Sequence, residues 1–578
     1  MRARTDPIYT SGTEDPQFMP KRLAITISGA VSLGSYEAGV LYEVVNAIGQ
    51  HNSQPDTKPE ERIEIDVLTG ASAGGMTATI AAQKLMFEAG ALRGPFTNSF
   101  YIPWVADVSL DGLLNMHGDD DRMKSILSSE HVIDISKRHL TARYLSHVDP
   151  PRERHPAGAK RIRLGLALAN LNGIDYGLAM RPEGKFVYTR HQDELTTWID
   201  EGVDGDDKFD FWDALRNAAV SCGAFAFAFR VIDVIRHASE FTRPSLETHI
   251  SPTQSFSYTD GGTFQNEPLG LAKNLVDLTD NHQNVDTRFY LYVAPGVKSS
   301  VANSDFTAAG ANFRETGLRL ISAIFGQARF QDWVFAERIN ASIEVFNDQA
   351  RAAMQLFNQD SAAATRRATA FQTAIGTLLP DLFDSRPEPR PGEPALEPLD
   401  TARDRVKSQW ADEYNSLPAA NRDAWLDTVV ALESAAQLGM REEMAIYGIT
   451  ASKNEMASTE LTSFAGFFDR RYRDHDYDVG RSKARQFLTN AALNEAHQIG
   501  PIRYPNPDPL RAIDVQLDGL TLDRMDRQPR EQVRDRLCDR AHEIMAELNI
   551  GTGPLGGAVR QAIDTGFITP FLNKLLHL

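Results

Sequence analysis

The chain has little of what several function classes require. Among 578 residues there are only two cysteines, Cys222 and Cys538. That is too few for a disulfide framework or a cysteine-rich zinc site, and it fits a reducing compartment. No uninterrupted apolar run reaches the ~18 residues of a membrane-spanning helix. The stretch before Lys21 has early arginines but no apolar core of a secretory leader. A cytoplasmic location is expected, with at most weak peripheral membrane contact. Positive charge is also in deficit: 60 Lys and Arg against 78 Asp and Glu leave a net charge of −18. A phosphate-tracking surface draws its affinity from Lys and Arg, so no nucleic-acid partner is expected. The complete dinucleotide and P-loop glycine patterns are missing, which discounts a nucleotide site. The acidic runs Asp119–Asp121 and Asp204–Asp207 lack the EF-hand pattern and read as solvated loops, so no metal and no cofactor are expected.

What is present suffices for a sizeable core: 42% of the residues are hydrophobic and 9% aromatic, and the length exceeds what one core usually organises. After an N-terminal tail (1–20), short β-rich runs alternate with helical stretches from about residue 21 to 300, which predicts an α/β domain. Its strands are expected at Leu23–Ile27, Ile63–Leu68, Arg161–Leu171, Lys185–Thr189, Ser255–Thr259 and Arg288–Val293. Helices are expected at Tyr36–Ile48, Met76–Leu85, Phe211–Val220 and Pro268–Leu278. Beyond residue 300 the strand signal fades and apolar residues recur three and four apart, as at Trp333, Ala336, Ile339, Ile343 and Phe346. The region 301–578 is therefore read as mainly helical, interrupted by a proline-rich loop at 386–398 whose five prolines exclude regular helix.

Three short segments carry chemistry. The first candidate is Gly70–Ala71–Ser72–Ala73–Gly74, with a strand before it and a helix after it. A serine at the apex of such a turn is pushed clear of the sheet, Gly70 and Gly74 let strand and helix cross closely, and the helix N-terminus favours developing negative charge. By itself this pattern is common in ordinary strand-to-helix turns; its flanking elements are what suggest a nucleophile. The second is the small-residue turn Ser28–Gly34, again between strand and helix, whose amides at Gly29, Ala30, Val31, Ser32 and Gly34 could face an oxyanion. The third is Asp260–Gly261–Gly262 at the end of a short strand, a turn in isolation but a candidate base in this company.

Taken in order, these segments resemble the patatin-like phospholipases, whose motifs run from a glycine-rich oxyanion turn through G-x-S-x-G to D-G-G/A followed by Asn and Pro. Gly29 to Gly34 with Gly39–Val40–Leu41 looks like the first, Gly70–Gly74 the second, and Asp260–Gly262 with Asn266 and Pro268 the third. The small-residue stretch Ala218–Phe225 is similar to the one that precedes the family's base. The resemblance covers residues 21–300 and implies a three-layer α/β/α sandwich with a mainly parallel sheet. It also implies a Ser72–Asp260 dyad, an acyl-enzyme intermediate and lipid or phospholipid esters as substrates, whether in lipase or phospholipase chemistry. One departure stands out: Ala30 and Val31 replace glycines of the family's turn and Leu33 replaces its cation, although a Cβ resists positive φ.

Two other readings compete. A Ser–Asp–His triad esterase could use His282 or His475, and a catalytically impaired scaffold would follow if the altered turn had lost its function. The aromatic, doubly charged segment Phe464–Arg481 resembles one near the C-terminus of larger bacterial patatin-like proteins. It reads as a docking element, or as a wall of the substrate entrance. Phe96–Val105, Cys222–Phe229 and Phe567–Leu578 are candidates for an acyl pocket or a bilayer contact, against simple burial. Nothing in the sequence sets an oligomeric state.

Overall fold

The computed structural model describes residues 20–121, 123–141, 153–179, 184–203, 209–226, 228–241, 246–280, 288–296, 331–358, 362–386, 396–436, 444–459, 463–490, 499–511 and 527–547, with isolated positions at 307, 308, 316, 323 and after 560. By compactness the chain forms two units: Met1–Pro268 with Phe289–Phe330 and Ile446–Leu578, and Leu269–Arg288 with Gln331–Ala445.

The first unit is built on a mixed eight-stranded sheet. Its strands are β1 (Lys21–Ile27), β2 (Ile63–Gly70), β3 (Gly158–Ala179), β4 (Lys185–Ile199), β5 (Ile232–His237), β6 (Thr253–Asp260), β7 (Arg288–Ala294) and β8 (Ile446–Thr450). They lie in the order β5-β6-β3-β2-β1-β7-β8, with β4 paired to β3 off this path. Strand β2 is buried along nearly its whole length, as a strand covered on both faces must be, which explains its near-continuous apolar run. The register fixes the site. Ile27 pairs with Gly70 across the parallel β1–β2 ladder, so the turns that follow these strands emerge side by side. Gly70 pairs in turn with Leu166 of β3, and two residues further on Leu168 faces Asp260 of antiparallel β6. Strand β3 thereby brings the end of β6 next to the end of β2.

Helix α1 (Gly34–Asn52) follows β1 and α2 (Ala73–Phe87) follows β2; α3 (Ser129–Ser136) and α4 (Phe209–Cys222) complete the helices that matter for the site. Helix α2 packs on β2, β3 and α4. The acidic run 119–121 is a surface turn, as expected, and one of its carboxylates is also engaged. Asp120 Oδ1 accepts the amides of Ser129 and Glu130 at 2.9 and 3.1 Å, satisfying donors at the start of α3 that the helix leaves unpaired. Residues 204–207 lie outside the described chain.

The second unit is helical: α5 (Leu269–Asp280), α6 (Gln331–Phe357), α7 (Ala362–Asp384), α8 (Leu399–Gln409) and α9 (Arg422–Ala435). Its core gathers Ala350, Leu379, Val406, Trp410, Trp425 and Val429. The indole N–H of Trp425 donates to the Ala350 carbonyl at 3.2 Å, so the largest buried ring is also satisfied. Most of the proline-rich loop, 387–395, lies outside the described residues.

Where the sequence suggested a single division near residue 300, the chain leaves the first unit after Pro268, returns with β7, leaves again at Gln331 and comes back at β8. Strands β5 and β8 were not expected. Helix α10 (Arg470–Leu488) then crosses α1 at backbone distance, and α11 (Arg527–Glu547) follows. A Cβ on Gly39 would collide with the Tyr477 carbonyl, and one on Gly480 with the Tyr36 carbonyl. Beside this crossing Arg481 Nε donates to Glu43 Oε2 at 3.1 Å, both side chains fully buried; Arg485 pairs with the same carboxylate. The Phe464–Arg481 segment therefore docks on the sheet unit through packing and ion pairs. Among the described residues no helix is long and apolar enough to cross a membrane.

Candidate active site

Strand β2 ends at Gly70 and α2 begins at Ala73, leaving two residues to reverse the chain. Ser72 takes φ 52° and ψ −128°, a region a residue with a Cβ occupies only when its surroundings impose it. The imposition is visible. A Cβ on Gly70 would meet the carbonyl of Gly74, and one on Gly74 the carbonyl oxygens of Ile27 and Ser28. Both glycines are required by the closeness of the crossing, as expected of an elbow. The Ser72 hydroxyl, on a residue only 6% exposed, donates to Asp260 Oδ2 at 2.6 Å.

Asp260 is the last residue of β6, and the turn Gly261–Thr263 follows at once. A Cβ on Gly261 would strike the Ala167 carbonyl of β3, so this glycine is demanded by the sheet. The Gly262 amide donates to Asp260 Oδ1 at 2.7 Å. The backbone is anchored as well: the Asp260 amide and the Thr259 hydroxyl both donate to the Ala224 carbonyl, at 3.0 and 2.7 Å. Burial pushes the Asp260 carboxyl up to about 6, against the opposing pull of the Ser72 and Gly262 hydrogen bonds. A carboxylate of that strength is a better proton acceptor than one in water. Cys222 lies nearby with its thiol pushed well up, first by burial and then by the negative charge of Asp260, which keeps it protonated.

The turn after β1 abuts the nucleophile. A Cβ on Gly29 would stand 3.0 Å from the Ser72 Cβ and run into the side chain of Asn266. Asn266 grips this turn from both sides: its carbonyl accepts the Gly29 amide at 3.0 Å and its Nδ2 donates to the Gly29 carbonyl at 3.3 Å. The amides of Leu33 and Gly34 bond to carbonyls within the turn. Those of Ala30, Val31 and Ser32, at its apex, are not among these bonds. Val31 adopts φ 54°, so a β-branched residue occupies the left-handed region that the sequence had marked as unfavourable.

Ser72 opens into a cavity with about 850 Å³ of empty space, its mouth included. The walls are overwhelmingly apolar: Val31, Met76, Trp104, Phe225, Phe229 and Phe467 line it, with Ser136 and His139 as polar exceptions. Two of the three apolar stretches singled out in the sequence thus reach it, through Pro103 and Trp104 and through Phe225 and Phe229. Half of 567–578, residues 570, 571 and 574–577, lies outside the described residues.

Of the residues considered for catalysis, Ser72, Asp260, Gly70, Gly74, Gly261, Gly262 and the Gly29–Gly34 turn are brought together. His475 is not: its Nε2 sits 3.0 Å from the Glu455 carbonyl, and it does not line the cavity. His282 lies outside the described residues. Sequence reasoning missed Asn266 as a clamp, although it named the residue as part of the third motif. Phe467 of the Phe464–Arg481 segment lines the cavity, as the second of the two readings of that segment expected. Sequence reasoning also missed His139, whose ring is 2.8 Å from Asp107 Oδ2; that contact is the largest influence holding the Asp107 carboxyl below its ordinary range. Among the described residues there is no group of three or more His, Cys, Asp or Glu able to hold a metal ion.

Residues 25–273 match the family model described as patatin-like phospholipase. The chain is also similar to an uncharacterized protein, y4iI, of Sinorhizobium fredii, at 22% identity over an alignment covering 47% of each protein. The chain thus spans about half the length of the curated relative it matches.

Proposed function

We propose, from the match of residues 25–273 to the patatin-like phospholipase family model, that the chain is a serine acyl hydrolase of lipid esters working through a Ser72–Asp260 dyad. The observation that carries the reading is the 2.6 Å hydrogen bond from the Ser72 hydroxyl to a buried carboxylate at the foot of an apolar cavity. Asp260 takes the hydroxyl proton as Ser72 Oγ attacks the ester carbonyl carbon. The oxyanion is held by amides of the turn, those of Ala30, Val31 and Ser32 at its apex, and by the amide of Ala73 at the start of α2. Asp260 returns the proton to the departing alcohol, leaving an acyl ester on Ser72. Water then gives a proton to Asp260, attacks the acyl carbon and releases the fatty acid, and the proton returns to Ser72.

The hydrolase domain is proposed to span residues 21–300 with 301–578 as an accompanying, mainly helical region. Lipid reaches the cavity through weak peripheral contact, since a net charge of −18 gives little hold on anionic membranes. A triad reading has one specific observation in its favour, His139 in the cavity wall beside Asp107. Against it, the Ser72 hydroxyl is spent on Asp260. A fluorophosphonate probe tests the assignment: the full chain should label stoichiometrically, and labelling should vanish in Ser72→Ala and fall by orders of magnitude in Asp260→Asn. Undiminished labelling of Ser72→Ala would remove the nucleophile, and loss of labelling in a folded His139→Ala with Asp260→Asn still reactive would favour the triad.

A further inference from the structure

The cavity wall beside Ser72 is closed by two residues that the three motifs do not specify. Val31 holds φ 54°, a backbone region that favours glycine. Phe467 comes from a segment far outside the matched residues 25–273. Both line the cavity that Ser72 opens into, both belong to one apolar cluster with Val108, Leu113 and Ile135, and their short helical turns, Val31–Leu33 and Ala465–Phe467, pack together.

The arrangement is held firmly on the C-terminal side. The Ser32 hydroxyl donates to the Ser463 carbonyl. Gly466 sits so close to the Ser32 and Ser458 hydroxyls that a Cβ there would stand 2.6 and 2.5 Å from their oxygens. Arg473, itself buried, donates to the Gly466 carbonyl at 2.6 Å and to the Val105 carbonyl at 3.2 Å. Asp476 accepts the Ala457 and Ser458 amides at 2.7 and 3.0 Å. Phe464 meets Phe225 of the opposite wall edge to face, at 5.7 Å between ring centroids. A β-branched residue persists at positive φ only when its surroundings over-determine it, and these contacts do so.

We propose that Val31 and Phe467 are specificity-determining residues that select the acyl part of the ester, Val31 restricting bulk next to the carbonyl carbon and Phe467 restricting the length or width of the chain beyond it. The inference rests on the hydrolase reading above. It assigns the C-terminal segment a place in substrate choice and not only in docking. It also gives the departure from glycine a use: a glycine would leave the turn's amides in place but remove the isopropyl group from the wall.

The test measures kcat/KM of the full chain on p-nitrophenyl esters: acetate, butyrate, octanoate and palmitate for length, isobutyrate and pivalate for branching. Phe467→Ala and the more conservative Phe467→Leu should raise the palmitate-to-butyrate ratio, by about tenfold for the alanine variant, because a few methylenes in an apolar pocket discriminate by such factors. Val31→Gly should raise the isobutyrate-to-butyrate ratio similarly. A change in oxyanion geometry alone would scale all six esters together, since every ester develops the same charge. A uniform scaling in Val31→Gly, or an unchanged length profile in a folded Phe467→Leu and Phe467→Ala, would overturn the proposal. Hydrolysis that survives Ser72→Ala would instead overturn the hydrolase reading, so the two failures are distinguishable.

Discussion

The ionisation of Asp260 offers a quantitative test of the dyad. Burial raises its carboxyl from an ordinary 3.8 to about 6, with the Ser72 and Gly262 hydrogen bonds pulling the other way. Only the ionised form can accept the Ser72 proton, so kcat/KM should rise with pH and level off above about 7. At pH 5 about one tenth of the free enzyme would carry the active carboxylate, and at pH 4 about one hundredth. A carboxyl at its ordinary value would leave pH 5 activity within about 10% of the plateau. The stability consequence has a definite sign. A carboxyl whose folded value lies above its unfolded one stabilises the fold below about 4 and loses that contribution as pH rises through about 6. Over about two pH units, at about 1.36 kcal/mol each, the ionised group costs the fold about 3 kcal/mol at pH 8. Asp260→Asn removes that charge and keeps the acceptor for Gly262. The variant should therefore be inactive yet at least as stable as the parent at pH 8, with the gap closing towards pH 4. The assay pairs initial rates on a soluble ester between pH 4 and 8 with urea unfolding at pH 5 and 8. A rate flat down to pH 4.5 in folded protein, or an Asn variant clearly less stable at pH 8 than at pH 5 relative to the parent, would refute the reasoning.

Three further outcomes are expected. Gly480→Val should destabilise by at least about 1–3 kcal/mol in urea titrations, because its Cβ would press on the Tyr36 carbonyl where α1 and α10 touch. Glu43→Leu takes from the fully buried Arg481 the nearer of its two carboxylates, leaving Asp478 at 3.7 Å, and should cost up to about 3–5 kcal/mol, whereas replacing both Glu43 and Arg481 with apolar residues of similar volume should recover much of it. His475→Ala, which loses a contact to the Glu455 carbonyl away from the cavity, should keep ester hydrolysis within about tenfold while Ser72→Ala and the double variant Ser72→Ala/Asp260→Asn are equally inactive.

What the sequence made legible is what local chemistry dictates. The segments around Ser72, Gly29–Gly34 and Asp260 were readable because each sits at a strand end with small residues that backbone crowding demands, as the collisions at Gly70, Gly74 and Gly261 show. Strands β1, β2 and β7 were readable because buried strands carry near-continuous apolar runs, and β6 because Phe256 and Tyr258 alternate with polar residues. Strand β5 was not: exposed Ile235 and buried Arg236 reverse the alternation that Ile232, Asp233 and Val234 begin, and Arg236 is accommodated by nearby Glu240 and by Asp193 and the Tyr258 hydroxyl, distant partners that no local window contains. Strand β8 is five residues long with Gly448 in its middle, and its ladder to β7 joins segments separated in sequence by the Gln331–Ala445 part of the helical unit. The cavity obeys the same logic. Its floor comes from the motifs, but Phe467 reaches it from α10's approach, so its presence follows from α1 and α10 meeting at Gly39 and Gly480 and from no spacing near the motifs. The doubt raised by Val31 resolves in the same place: a left-handed valine is unfavourable in isolation, and it is held here by Ser32's bond to Ser463 and by packing on Phe467. A chemistry written in the first half of the chain is thus shaped by residues of the second.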